Sequence, residues 1–388
     1  MYLNNYVLKV KGIVYFDNSA TTKPCKKAIE CINTALCECW GNPSSLHNLG
    51  FEAELLMEKA RETVARFISA DKSEIIFTAS GTEANNTAIM SAFKRKGFGN
   101  RIITTKIEHP SVLETVKRLE AEGFEVIFLD TDKNGIVNLE QLSEALTPKT
   151  VLVSVMLVNN EIGAIEPIEE ISRMVRNKAP KALIHCDAVQ GFGKLRINVK
   201  RLDIDLMSVS AHKIHGPKGI GALYKKKNVT IAPFITGGGQ EKGIRSGTES
   251  LPLIAGFMGA VSDIGDIDTN YKKICEINEY AREKFSACDF IKINSPENSI
   301  PYILNISVPF YRSETLLHFL ESKNIFVSSG SACAKGELSY VLSSLGLDKT
   351  HIDSALRISF CKDNTKEEID LLLGALTEAV KKLRRSKI

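Results

Sequence analysis

The sequence predicts an α/β fold, with a mostly parallel sheet flanked by helices and a smaller α+β C-terminal domain. Two observations carry this. Short, uniformly apolar runs alternate with helical periodicities through the first two thirds of the chain, as in a parallel sheet buried on both faces. From about Leu251 onward the pattern changes to long amphipathic helices with only short strands between them. With 388 residues, 44% of them hydrophobic, the chain has ample material for one large and one small domain.

The elements follow in order. Ala53, Leu56, Ala60, Val64 and Phe67 recur at three- and four-residue steps and form one helical face before the strand Ile75–Phe77. After Gly81-Thr82-Glu83 the pattern predicts a helix to about Lys96, a strand at Ile102-Ile103 and a helix from Ser111 to Glu122. A strand from Glu125 to Leu129 and a helix around Leu139–Leu146 come next. Val151–Val158 then reads as a strand, Ile168–Asn177 as a helix, and Ala182–Cys186 and Leu206–Val209 as strands. A helix from Leu253 to Ile264 leads into the C-terminal part, with strands near Ile303–Val308 and Ile325–Ser328. The large domain is expected at 17–260, and the small one at 1–16 together with 261–388.

Composition narrows the function. The net charge is +4 with Lys and Arg scattered, and the longest basic run, Lys225–Lys227, reads as a solvated turn, so nucleic-acid binding is not expected. No window has eighteen uncharged apolar residues and the N-terminus lacks a signal-peptide pattern, so no membrane association is expected and the cytoplasm is the predicted compartment. Nine cysteines without regular spacing are expected to be mostly reduced thiols. Cys31, Cys37, Cys39 and His47 match no zinc template, so no metal is expected, and Trp40 beside them is read as a packing residue.

In open α/β sheets ligands sit outside the carboxyl ends of the strands, and polar or glycine-rich segments follow four of them here. Thr78-Ala-Ser-Gly-Thr-Glu83 lies between a strand and a helix N-terminus, and suits either a phosphate or a plain N-cap. Asp187 ends one strand, where a carboxylate either holds the proton of a heterocyclic nitrogen or caps the next helix. Lys213 follows another strand in Ser210-Ala-His-Lys213, and a partly desolvated lysine there forms a Schiff base with an aldehyde cofactor. Lys218, in a Gly-Pro-Lys-Gly turn, is expected to point to solvent. Val327-Ser-Ser-Gly-Ser-Ala-Cys-Ala334 sets Cys333 among small residues, which suits a travelling nucleophile, although a free cysteine is more often simply buried.

Taken together, these segments resemble the NifS/IscS cysteine desulfurases, within the aspartate-aminotransferase-like superfamily of pyridoxal-phosphate (PLP) enzymes. The matching motifs run in order along nearly the whole chain. They are Tyr15-Phe-Asp-Asn-Ser-Ala-Thr-Thr22, Gly41-Asn-Pro-Ser-Ser45, Glu108-His109 and Val158-Asn-Asn-Glu-Ile-Gly163, followed by His185-Cys-Asp-Ala188 and His212-Lys213. Arg245-Ser-Gly-Thr248, Ser328-Ser-Gly-Ser-Ala-Cys333 and Arg357-Ile-Ser359 complete the set.

The resemblance implies PLP-dependent transferase fold type I and conversion of L-cysteine to L-alanine, with the sulfur passing to Cys333 as a persulfide. It implies that Lys213 holds PLP covalently and that Asp187 pairs with the ring nitrogen. Asn160 and Gln190 would bond the ring hydroxyl, and His109 would stack on the ring and assist proton transfer. Gly81, Thr82, Ser210 and His212 would hold the phosphate, with Thr248 reaching over from the second subunit of a homodimer. Arg357, with Asn42, would bind the substrate carboxylate.

Two features depart from the IscS-like pattern. Ala334-Lys-Gly-Glu-Leu-Ser339 is shorter, and the chain ends at Lys381–Ile388 without the extension seen there. An acceptor protein serving iron–sulfur assembly, one serving tRNA thiolation and a general persulfide acceptor all remain compatible. A selenocysteine lyase or another PLP lyase is the alternative within enzymes. A sulfur-carrier subunit without catalysis would be marked by loss of Lys213 or Asp187, and both are present.

Overall fold

The structure is a computed structural model that describes residues 12–329 and 338–385. Cys333 and its neighbour Lys335 lie outside the described residues.

The chain opens with strand β1 (Val14–Tyr15) and helices α1 (Lys26–Cys37) and α2 (Asn48–Phe67). Alternation follows through β2 (Ile75–Thr78), α3 (Gly81–Met90), β3 (Arg101–Thr105), α4 (Pro110–Ala121), β4 (Glu125–Leu129) and α5 (Leu139–Ala145). It continues through β5 (Thr150–Ser154), α6 (Ile168–Lys178), β6 (Leu183–Asp187), β7 (Leu206–Ser210), β8 (Gly221–Lys225) and α7 (Leu251–Asp263). The remainder is α8 (Ile267–Ser286), β9 (Lys292–Ile293), β10 (Ile303–Ser307), α9 (Ser313–Glu321), β11 (Ile325–Phe326) and β12 (Ser328–Ser329). Helices α10 (Tyr340–Ser344) and α11 (Lys349–Asp353), strand β13 (Ala355–Ser359) and α12 (Lys366–Lys382) close it.

Among the described residues these elements form two compact units, one of 21–160 and 164–271, the other of 12–20, 161–163 and 272–385. In the larger unit seven strands pair in the order β2-β8-β7-β6-β5-β3-β4, parallel except for β8, which is antiparallel to both its neighbours. Every residue of β2, β5, β6 and β7 is buried, which is why these strands read as continuous apolar runs without alternation. Helix α3 packs on α4 and β7, and α7 packs on α1 and α2.

A buried ion pair ties the strand β2 region down. Arg61 meets both carboxylate oxygens of Glu241 at 2.8 Å and donates to the Ile75 carbonyl, while Glu241 also accepts from the Phe77 amide. Removing one partner of such a pair strands a buried charge, at a cost of about 3–5 kcal/mol.

The smaller unit holds the antiparallel sheet β12-β13-β10-β9 and the parallel pair β1-β11, in which Val14 lies opposite Ile325. Phe16 and Phe360 meet edge to face at 5.7 Å beside them. The N-terminal strand therefore belongs with the C-terminal part of the chain.

Several elements differ from the sequence reading. The strand expected over Val151–Val158 leaves the ladder after Ser154. Residues 155–158 stay buried and bond to β6 carbonyls through the Val155 and Leu157 amides, then turn back in a bridge from Val158 to Ile165. The helix expected to reach Lys96 tightens into a 3-10 turn at Ser91–Arg95. Trp40, read as packing, is 66% exposed. Domain cuts were expected at 16/17 and 260/261. The compact units divide at 20/21 and 271/272, and 161–163 joins the smaller one. The second division falls inside α8, a continuous helix with no linker composition to mark it. Among the described residues no helix is long and apolar enough to cross a membrane.

Candidate active site

Strands β6 and β7 run parallel, with Asp187 opposite Ser208, so their carboxyl ends deliver Asp187 and Ser210 to one edge of the sheet. Helix α3 starts at Gly81, three residues after β2 ends. Ser80 caps it, its Oγ accepting from the Glu83 amide at 3.1 Å, while the Glu83 carboxylate reaches back to the Ala79 amide at 3.0 Å. The Gly81 and Thr82 amides lie in the first turn, where a helix offers its N–H groups no internal partner. A Cβ on Gly81 would come within 2.8 Å of Val189 Cγ2 and 3.4 Å of Ser210 Cβ, so only glycine lets these walls close up. The Ser210 hydroxyl is buried and has no hydrogen-bond partner among the described residues. A helix N-terminus beside such a donor suits a phosphate.

Past Ser210 the chain enters a 3-10 turn at Ala211–Lys213. Thr22 clamps this turn. Its hydroxyl donates to the His212 carbonyl at 3.0 Å and accepts from the His215 amide at 2.7 Å. His215 sits at φ 64°, and a Cβ on Gly216 would meet the Ala211 carbonyl at 2.8 Å, so the reversal after Lys213 is tight. Lys213 is half-buried and Lys218 exposed, the distinction expected from the sequence. Burial, with the Lys213 and Lys218 charges, lowers the His212 pKa to about 4, so its imidazole is neutral at pH 7.

Asp187 belongs to a chain of polar groups. Its Oδ1 accepts from the Val189 amide at 3.0 Å and its Oδ2 from Asn85 Nδ2 at 2.7 Å. Asn85 Nδ2 also donates to Ser111 Oγ at 2.8 Å, and Ser111 Oγ lies 2.8 Å from His109 Nδ1. His109 caps α4 and keeps open surface. Surrounding protein lowers its pKa, the Asp187 charge raises it and the Lys213 charge lowers it. Glu108 beside it is fully buried and accepts from Thr105 Oγ1 and the Met156 amide; burial holds its carboxyl well above the ordinary range. Gln190 is buried and accepts from Lys194 Nζ at 2.8 Å, and Asn160 is half-buried. Burial pushes the Cys186 thiol far up, so it is no ready nucleophile.

Thr82, in the first turn of α3, is exposed, as are Asn42 and Thr248. Thr248 follows Arg245, whose Nε bonds Glu83 Oε1 at 3.0 Å, so the segment bearing Thr248 is tied to the cap of α3. In the smaller unit, buried Arg357 meets Asp17 Oδ1 at 3.2 Å and Ser328 Oγ at 3.1 Å. Glu161 accepts from Ser339 Oγ at 2.6 Å, and burial pushes its pKa up to about 7. No role is assigned to Asn85, Ser111 or Thr22 by the sequence. Thr22 ends a quoted motif, and Asn85 and Ser111 each stand two positions past one, where only the fold shows what they touch.

The family model for class-V aminotransferases matches residues 14–372. The chain belongs to that family. Among its relatives, a cysteine desulfurase of a Nostoc species is 39% identical over 381 residues, covering 96% of this chain and 94% of that one. A putative cysteine desulfurase IscS 1 of Bacillus subtilis is 41% identical, covering 95% of this chain and 99% of that one. Among solved structures, a NifS-like protein superposes with a TM-score of 0.91 at 39% identity, over 96% of this chain and 100% of that one. A structure of SspA in complex with cysteine gives a TM-score of 0.80 at 35% identity, over 91% of this chain and 100% of that one. The resemblance to NifS/IscS proteins is borne out.

The Glu161 geometry carries a pH dependence. Its folded pKa of about 7 lies above the ordinary 4.5, so its contribution to stability is fully present below pH 4.5 and is lost as pH rises through 7. Glu161→Gln should therefore lose less thermal stability than wild type between pH 5 and pH 8. Parallel melting curves across that range would contradict the assignment.

Proposed function

We propose that this protein is a PLP-dependent cysteine desulfurase, which converts L-cysteine to L-alanine and passes the sulfur to Cys333. The observation that carries the reading is the sheet edge itself. A buried carboxylate, a half-buried lysine and an unpartnered serine hydroxyl beside a helix N-terminus stand together at the ends of β6, β7 and β2. That donor set fits each polar part of PLP, namely a ring nitrogen, an aldehyde and a phosphate. The solved SspA structure, in complex with cysteine, supports the substrate.

Lys213 would hold the cofactor covalently and Asp187 would keep its ring nitrogen protonated. Asn160 and Gln190 serve the ring hydroxyl, and Gly81, Thr82, Ser210 and His212 the phosphate. Bound PLP supplies an electron-withdrawing ring that acidifies the α-carbon of the substrate. As a free amine Lys213 would take the α-proton of the substrate, with His109 assisting proton movement. Arg357 and Asn42 hold the substrate carboxylate. The Cys333 thiolate attacks the substrate sulfur. A sulfur–sulfur bond forms, the carbon–sulfur bond breaks, the electron pair left on the β-carbon takes a proton, and return of the α-proton from Lys213 to the α-carbon gives alanine. An acceptor protein then collects the sulfur by thiol exchange, for iron–sulfur assembly or tRNA thiolation.

The active form is a homodimer in which Thr248 completes the partner's phosphate site. Exposed Leu36, Trp40, Leu46, Phe51 and Leu55, on and between α1 and α2, support an apolar contact of this kind.

Borohydride reduction followed by peptide mapping tests the cofactor site. Label is expected on Lys213, Lys213→Ala should release no alanine, and Lys218→Ala should behave as wild type. Label on Lys218, or on neither lysine, contradicts the assignment. Mixing Lys213→Ala with Thr248→Ala subunits should restore activity, because one site of the mixed dimer then carries neither defect. No recovery after confirmed exchange, with Thr248→Ala itself impaired, contradicts the shared site.

A further inference from the structure

We propose that Asn85 and Ser111 are positioning residues that hold His109 as its Nε2–H tautomer and link it to Asp187. The inference deepens the desulfurase reading and rests on it only for the use made of the proton.

The Asn85 amide has one possible orientation. Its Nδ2 lies 2.7 Å from Asp187 Oδ2, and the reversed amide would set oxygen against carboxylate oxygen. Both Nδ2 hydrogens are then committed, one to Asp187 and one to Ser111 Oγ at 2.8 Å. Ser111 Oγ accepts from Asn85, so its own proton goes to His109 Nδ1, also 2.8 Å away. The Ser111 backbone amide donates to the same Nδ1 at 3.1 Å. Two donors converge on one ring nitrogen, which must be the acceptor, and the neutral imidazole carries its proton on Nε2.

Surrounding elements hold this arrangement. Asn86, next to Asn85 on α3, donates to the Ser111 carbonyl at 3.1 Å, so adjacent asparagines grip the first turn of α4. The Asn85 carbonyl oxygen is buried with no hydrogen-bond partner among the described residues, a cost that the fold accepts to keep Nδ2 on Asp187 and Ser111. The charged groups acting on His109 are Asp187 from β6 and Lys213 after β7, and the buried Glu108 precedes it in the chain. Both donors to Nδ1 favour the neutral ring and so lower its pKa, and removing one should raise it. The imidazole then has one defined donor, Nε2–H, with its plane set by Ser111, which Asn85 links to Asp187.

The test uses PLP-free dimer labelled with 15N-histidine, the His109 signals being assigned by their loss in His109→Gln. Wild type should show Nε2–H at neutral pH. In Ser111→Ala the titration midpoint should rise by about half a pH unit or more. Asn85→Ser should do the same, and Ser111→Thr should restore the wild-type value. In the PLP-loaded enzyme the acid limb of kcat should move upward by the same amount, with little change in KM. An Nδ1–H signal in wild type overturns the inference, as does an unmoved midpoint in folded Ser111→Ala. If Asn85→Ser does not fold, Ser111→Ala alone decides. Absence of alanine production by wild type would sink the desulfurase reading but leave this signal intact, because it is read without PLP or cysteine.

Discussion

Parallel pairing of β6 with β7 is the constraint on which the site depends. Parallel direction puts both carboxyl ends on one edge, and the register that sets Asp187 opposite Ser208 places Asp187 beside the chain that goes on to Ser210 and Lys213. Pairing of β2 with β8 and of β8 with β7 brings the start of α3 to the same edge, since Thr78 and Ser210 both lie opposite Gly221. A Cβ on Gly221 would come within 2.7 Å of the Ser80 and Val209 backbones, which keeps these strand ends close.

Concentrating polar groups at this edge has a cost elsewhere in the free energy of folding. Among the described residues the Ser210 hydroxyl and the Asn85 carbonyl are buried without partners, and burial holds the Glu108 carboxyl well above the ordinary carboxylate range. The surrounding sheet offsets this with strands buried on both faces and with Arg61 and Glu241 paired at 2.8 Å. Lys213 therefore stands in a clamped turn, between Thr22 and the tight reversal at His215. The role proposed for Lys213, holding a cofactor and then moving a proton, needs such definition.

The parts legible in the sequence were those with a local physical signature. Strands buried on both faces gave unbroken apolar runs, and the Ser80 cap, the ending carboxylate Asp187 and the contrast between Lys213 and Lys218 each followed from chain context. What stayed hidden depends on contacts distant in sequence. Asn85 looks like any helical asparagine until β6 brings Asp187 to it, 102 positions away. Residues 155–158 read as strand because burial, and not ladder pairing, makes them apolar. Trp40 reads as a packing residue at the end of its stretch, yet it lies on the surface of the single chain. The compact units divide inside α8, where a continuous helical pattern leaves nothing to read.

Among the described thiols, Cys186 is buried with its thiolate strongly disfavoured, and burial also raises the Cys275 and Cys361 pKa values. Sulfur transfer to Cys333 is the central claim, and mapping the transferred sulfur tests it most directly. The PLP-loaded protein would be incubated with L-cysteine, alkylated without reductant, and digested for peptide mass analysis. The account predicts one extra sulfur on the peptide containing Cys333, formed in step with alanine. Alanine release with the extra sulfur on another cysteine, or on none, would contradict it.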